Sequence, residues 1–175
     1  MATRAFADDS RPSSLLARID RTIALLENAL GVTLVITVVI VVLLQVVFRF
    51  FLDSPLSWSG EVAIYILVWT TFLGMAIAQR ERAHVAMQVL PAMPRVVRRT
   101  VDWICWLSVL GMFVVLGWGG LELALLHHVQ RSPATGVPIW SIYSALPVGG
   151  ALGIWHTFRD LPGLVRGEEG TKGWH

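Results

Sequence analysis

Cysteine occurs once in the 175 residues, at Cys105, so the chain by itself can build no disulfide, CxxC redox pair or cysteine metal cluster. That argues against a quinone-coupled disulfide oxidase. Charge is also scarce: only 15% of residues are Asp, Glu, Lys or Arg, less than a globular domain of this length normally exposes. The formal net charge is only +2 and comes from Arg beside apolar runs, so no nucleic-acid partner is expected. Of the five His, none falls inside an apolar run: His84, His127, His128, His156 and His175 all lie in loops or flanks. His127 and His128 are adjacent, so on a helix their rings would point about 100° apart and could not readily share one metal. No Ser-His-Asp grouping, phosphate loop or pair of carboxylates within an apolar run is present. The expectation is a protein with no catalytic residue, no metal and no cofactor.

What is present is apolar surface. Hydrophobic residues make up 55% of the chain and the mean hydropathy is +0.64. Four stretches, 29–48, 62–78, 103–121 and 137–155, run for 20, 17, 19 and 19 residues without Asp, Glu, Lys, Arg or His. At about 1.5 Å per residue the shortest covers roughly 26 Å, close to the ~30 Å hydrocarbon core of a bilayer. The expected fold is an all-α integral membrane protein with four transmembrane helices, forming one membrane domain over residues 1–175.

Basic residues orient it. The N-terminal segment carries Arg4, Arg11, Arg18 and Arg21; the middle loop carries Arg80, Arg82, Arg95, Arg98 and Arg99; the tail at 156–175 carries Arg159, Arg166 and Lys172. Only Arg49 and Arg131 remain for the other two loops. Because short positive flanks stay in the cytoplasm, both termini and the middle loop are expected inside. A cleavable signal peptide is not expected, since Asp8 and Asp9 occupy its positive region and the first run is too long and too distant. Residues 1–28 are expected to form a cytoplasmic or interfacial segment. Within it Leu15, Leu16, Ile19, Ile23 and Leu26 recur at helical spacing opposite Arg18, Asp20 and Arg21. This reads as an amphipathic interfacial helix or as a plain extension of the first span.

Polar and small residues mark faces that meet protein. Thr33, Thr37 and Gln45 form a mildly polar stripe on the first span, although a Thr hydroxyl can bond to its own helix. In the fourth, Ala145, Gly149 and Gly153 stand at four-residue intervals and would admit a neighbouring helix closely. Pro147 lies among them and should weaken or kink that helix. Trp58, Trp103, Trp106, Trp118 and Trp140 sit near span ends as an interfacial belt, whereas Trp69 falls mid-span and needs a protein environment for its indole N–H. Glu61 suits a helix N-terminus, yet Glu61, Tyr65 and Trp69 also share one face at four-residue spacing.

The run Trp58-Ser59-Gly60-Glu61, continuing through Tyr65, Trp69, Phe72, Leu73 and Gly74, resembles the signature of the small membrane subunit of tripartite ATP-independent periplasmic (TRAP) transporters, the DctQ-like family. Its usual shape is W-S-E-E-x-x-R-Y-x-x-V-W-x-x-F-L-G. Ala78-Gln79-Arg80, His84-Val85, Gly136-Val137-Pro138-Ile139-Trp140, Tyr143 and Pro147-Val148-Gly149 extend the likeness, which covers roughly residues 26–161. Gly60 replaces a common glutamate and Ile64 a common arginine, so a role for that charge pair does not carry over. Losing both together leaves no orphan charge.

The resemblance implies a non-catalytic scaffold in the bacterial inner membrane, with two protein partners besides the lipid bilayer. One is a large multi-helix subunit that carries the substrate and sodium sites. The other is a periplasmic substrate-binding protein that delivers an organic acid. Trp58, Glu61, Tyr65, Trp69, Gly74, Gln45, Ala145, Gly149 and Gly153 are the expected large-subunit interface; Asp53, Ser54, Arg131, Pro138 and Trp140 are expected in the periplasmic docking loops. The rival from another class is a membrane anchor subunit of a respiratory enzyme, which would want span histidines to clamp a haem. A free-standing channel would need a polar pathway, and only Thr33, Thr37 and Gln45 are on offer.

Labels at the N-terminus, near Arg95 and at the C-terminus should react only from the cytoplasm, and labels near Ser54 and Ser132 only from the periplasm. Periplasmic labelling near Arg95 would overturn this orientation.

Overall fold

The computed structural model of the chain describes residues 15–81 and 95–166. The start of the N-terminal segment, the middle loop with His84 and the end of the tail lie outside the described residues. Among the described residues all regular structure is helical: α1 (Leu15–Phe50), α2 (Ser59–Arg80), α3 (Arg95–Leu126), the single turn α4 (Trp140–Tyr143) and α5 (Ala145–Arg166).

The amphipathic segment is not a separate helix. It runs without interruption into the first apolar stretch, making α1 36 residues long, about 54 Å at the α-helical rise. Nothing in the segment can break it, since between Leu15 and Phe50 there is no proline and one glycine, Gly31. The helix ends where Ser54 N–H bonds back to the Phe48 carbonyl at 3.2 Å and Asp53 takes the left-handed conformation at φ 51°. That conformation usually falls to glycine, but a short polar side chain tolerates it. Pro55 then prevents the helix from resuming at once.

Among the described residues three helices are long and apolar enough to cross a membrane: α1 from Arg18, α2, and α3 from Arg99. The expected fourth span starts differently. Residues 137–139 belong to a loop, α4 lasts one turn, and Ser144 interrupts the helix before α5. Pro147 explains the interruption, since it has no N–H to donate to the Tyr143 carbonyl one turn earlier. Beyond it, α5 is uncharged only from Ala145 to Trp155, because His156, Arg159 and Asp160 follow within the same helix.

The helices run alternately up and down. α2 and α5 pair centrally, α1 packs on the far side of α2 and α3 on α5, while no Cα of α1 lies within 8 Å of one in α3 among the described residues. The result is an open array rather than a closed four-helix bundle. Glycines set its closest approaches. A Cβ on Gly149 would lie 2.8 Å from Phe72 Cβ, one on Gly150 2.9 Å from the Gly117 Cα, and one on Gly153 would strike the Phe113 ring. Phe113 is 2% exposed, held between α3 and that stripe. Close backbone approach is how membrane helices gain contact when lipid is as apolar as their side chains.

Gly150→Leu should force α3 and α5 apart and lower the thermal unfolding midpoint in detergent. Gly111→Leu, where an added Cβ meets nothing within 4 Å, should leave it within a degree or two. Equal midpoints for the two variants would refute the glycine contact.

Candidate functional site

Polar side chains gather at the two ends of the array, and each group is built from different helices. At the end where α1 begins, the Glu27 carboxylate accepts from two directions. Arg80 Nη1 donates to Oε2 at 2.7 Å and to the Ala24 carbonyl at 3.2 Å, while Nη2 reaches Asn28 Oδ1 at 2.7 Å. His156 Nε2 lies 2.8 Å from Glu27 Oε1; an ionised carboxylate only accepts, so Nε2 carries the hydrogen. Glu27 is 2% exposed and His156 3%. Arg159 pairs with Asp20 on the same side, and Trp106 Nε1 donates to the Thr157 carbonyl at 2.9 Å. Thus α1, α2 and α5 are joined through one carboxylate, and α3 is tied to α5 beside it.

This cluster was not anticipated. His156 was expected to follow the fourth helix; it is instead buried inside α5. Glu27 lies 129 residues from His156 in sequence, and each looks like an ordinary flanking polar residue when read alone. The available signal was that Glu27, Arg80 and His156 each stand next to an apolar run, at the same depth.

At the opposite end Glu61, in the first turn of α2, accepts from the loop that precedes α4. The Ser132 hydroxyl donates to Oε2, Ala134 N–H donates to Oε1 at 3.3 Å, and Thr135 offers both its N–H and its hydroxyl to Oε2 at 3.3 Å. The loop is shaped to present these donors. Ser132 N–H bonds to the Val137 carbonyl at 2.9 Å, Gly136 N–H to the Ser132 carbonyl at 3.0 Å and Ile139 N–H to the Gln130 carbonyl at 2.9 Å. Gly136 supplies the tight reversal at φ 69°. A carboxylate accepting several such donors, charge-assisted, fixes a loop more firmly than neutral contacts do.

The expected interface residues therefore divide. Trp69 N–H donates to the Ser141 carbonyl at 3.1 Å, so with Glu61 it belongs to a face turned towards the chain's own loop and α4. Ala145 is 1% exposed, and Gly149 and Gly153 are filled by Phe72 and Phe113. Tyr65 is half-buried. Gln45 is half-buried too and lines a recess at the end of α1 with Arg49 and Asp53. Trp58 and Gly74 are exposed. Thr33 and Thr37 bond to the Ala29 and Thr33 carbonyls at 2.7 Å, so their hydroxyls need no second helix. Of the expected docking residues, Asp53, Ser54, Arg131 and Trp140 are exposed, and Arg131 donates to the Gly136 carbonyl at 3.2 Å. Pro138 is half-buried, opposite Arg131 in an isolated bridge. Both loops meet at the first turn of α2, one by chain continuity through Trp58 and the other through Glu61.

Residues 38–167 match the family model described as Tripartite ATP-independent periplasmic transporters, DctQ component. The chain belongs to the DctQ family. It is similar to the ectoine TRAP transporter small permease protein TeaB of Halomonas elongata, 31% identical over 163 residues, with 86% of this chain and 80% of that one covered. It is similar too to the C4-dicarboxylate TRAP transporter small permease protein DctQ of Rhodobacter capsulatus, 29% identical over 115 residues, covering 63% of this chain and 50% of that one. The isethionate TRAP transporter permease protein DctMQ of Oleidesulfovibrio alaskensis is 27% identical over 115 residues, 62% of this chain but only 18% of that much longer one. As a DctQ protein the chain is a multi-pass inner-membrane transporter component and not an enzyme. Its relatives lend no support to a respiratory anchor.

Glu61→Ala should free the loop while leaving the helices in place. Hydrogen exchange at the Ala134 and Thr135 amides should accelerate about tenfold or more, in line with the ~1.5–3 kcal/mol typical of a hydrogen bond to a charged group. Exchange at those amides unchanged from the parent would show that Glu61 does not hold the loop.

Proposed function

We propose that this DctQ protein is a rigid, non-catalytic scaffold that holds a large TRAP permease subunit in working geometry. Its outer loops help to dock a periplasmic substrate-binding protein during sodium-driven uptake of an organic solute. The observation that carries the reading is the placement of its polar groups. The described clusters of charge sit at the ends of the array and are engaged with each other, Glu27 with Arg80 and His156 and Glu61 with the 132–135 turn. Solute and ion sites in secondary transporters lie near the midplane, on broken helices. The large subunit is supported as the partner by the Oleidesulfovibrio relative, in which the matching segment is a small part of one longer permease polypeptide.

In this reading α4 and α5 together supply a fourth crossing. Trp140 to Trp155 comprises 16 uncharged residues, about 24 Å of helix. Even crossings with Arg-rich ends put both termini and the Glu27 cluster in the cytoplasm, and Glu61 with the two docking loops in the periplasm.

Deleting the chain should abolish uptake while the isolated binding protein keeps its affinity for substrate. Substitutions at Arg131 or Trp140 should slow delivery by the binding protein, read as a raised concentration for half-maximal uptake, without reducing recovery of the large subunit. Full uptake by the large subunit and binding protein alone would overturn the scaffold.

A further inference from the structure

An open groove of about 590 Å³ runs between α1 and α2. Gly31, Val35 and Ile36 of α1 and Thr70, Gly74 and Ile77 of α2 line its apolar length, and Asn28 and Glu81 stand at the Glu27 end. Its floor at Gly74 of α2 differs from the close contacts of Gly149, Gly150 and Gly153 on α5. There the added Cβ would strike this chain's own atoms, whereas at Gly74 it would meet nothing within 4 Å. A glycine inside a helix costs about 0.5–1 kcal/mol relative to alanine, and at Gly74 no contact among the described residues offsets it. Another backbone approaching from outside would. Thr70, the hydroxyl-bearing residue beside Gly74 in the groove, turns its hydroxyl onto the Ile66 carbonyl at 2.8 Å, so it presents no unsatisfied donor there.

The mouth adds a charge preference. The Arg80 guanidinium is engaged by Glu27 and Asn28, and stands 3.3 Å from Glu81, whose side chain is 62% exposed. Two carboxylates thus share one guanidinium, and Glu81 keeps most of its surface for a further cation. Transmembrane helices carry Lys and Arg at their cytoplasmic ends.

We infer that the α1–α2 groove seats one transmembrane helix of the large permease subunit, with small residues over Gly74 and a basic residue at its cytoplasmic end against Glu81. This rests on the scaffold reading and names the face that it uses. The Oleidesulfovibrio relative, in which the matching segment is covalently part of a longer permease, supports a large-subunit helix as the occupant. A phospholipid tail could occupy the volume, but it gains nothing from bare backbone at Gly74 and brings Glu81 no cation besides the Arg80 it shares with Glu27.

The test uses the whole transporter in native membranes, in a Cys105→Ser background. A benzophenone maleimide on Gly74→Cys should cross-link to the large subunit on irradiation, and the same probe on Gly111→Cys, equally open on α3, should cross-link to lipid. Gly74→Leu should lower recovery of the large subunit on affinity purification at least tenfold, and Glu81→Lys should lower it as well, whereas Gly111→Leu should not. Lipid adducts from residue 74, or unchanged recovery with Gly74→Leu, would overturn the groove assignment and leave the scaffold standing. Failure of the unsubstituted chain to bring down any large subunit would overturn both.

Discussion

One carboxylate, that of Glu27, decides how this array is assembled. Apolar helices in a bilayer gain little by exchanging lipid for one another, so their arrangement is specified by close backbone approach and by polar pairs. Glu27 provides the second of these for three helices at once. Arg80 brings the end of α2 to it and His156 brings α5, both within 2.8 Å. The arrangement is fully committed, because removing one partner of a buried pair typically costs about 3–5 kcal/mol through the charge it leaves behind. The net gain from forming such a pair is far smaller, so its contribution is mainly registry: it sets which turn of α1 faces which turn of α2 and α5.

The glycines of α5 then complete what the carboxylate begins. With registry set, Gly149 meets Phe72 on one side, and Gly150 and Gly153 meet Gly117 and Phe113 on the other. A helix so closely embraced on two faces takes a central place beside α2, although it has the shortest uncharged run of the four long helices. The long outer helices α1 and α3 are left with broad exposed faces of Val, Ile and Leu, suited to lipid. Glu61 applies the same physics at the other end, but to a loop, converting a flexible connection into a fixed surface beside Trp58.

Much of this was legible beforehand. The apolar runs, the Pro147 interruption and the need of Trp69 for a protein environment followed from local rules about length, missing donors and indole N–H groups. Continuity of α1 was not settled, because an amphipathic pattern is the same whether the segment lies on the membrane or extends a span. Of the face shared by Glu61, Tyr65 and Trp69, Glu61 engages the chain's own 132–135 turn and Trp69 the Ser141 carbonyl, neighbours that four-residue spacing could not name.

The sequence by itself determined that this is a multi-span helical membrane protein, and its motif around Trp58 to Gly74 pointed to the DctQ family. Hydropathy, charge at span ends and short motifs are properties of consecutive residues. Only the tertiary structure decided which helices are central, which small-residue stripe is consumed internally and which glycines are left open, and that Glu27, Arg80 and His156 form one cluster. Those are properties of residues brought together from separate helices, and no local pattern encodes the rotation of one helix against another.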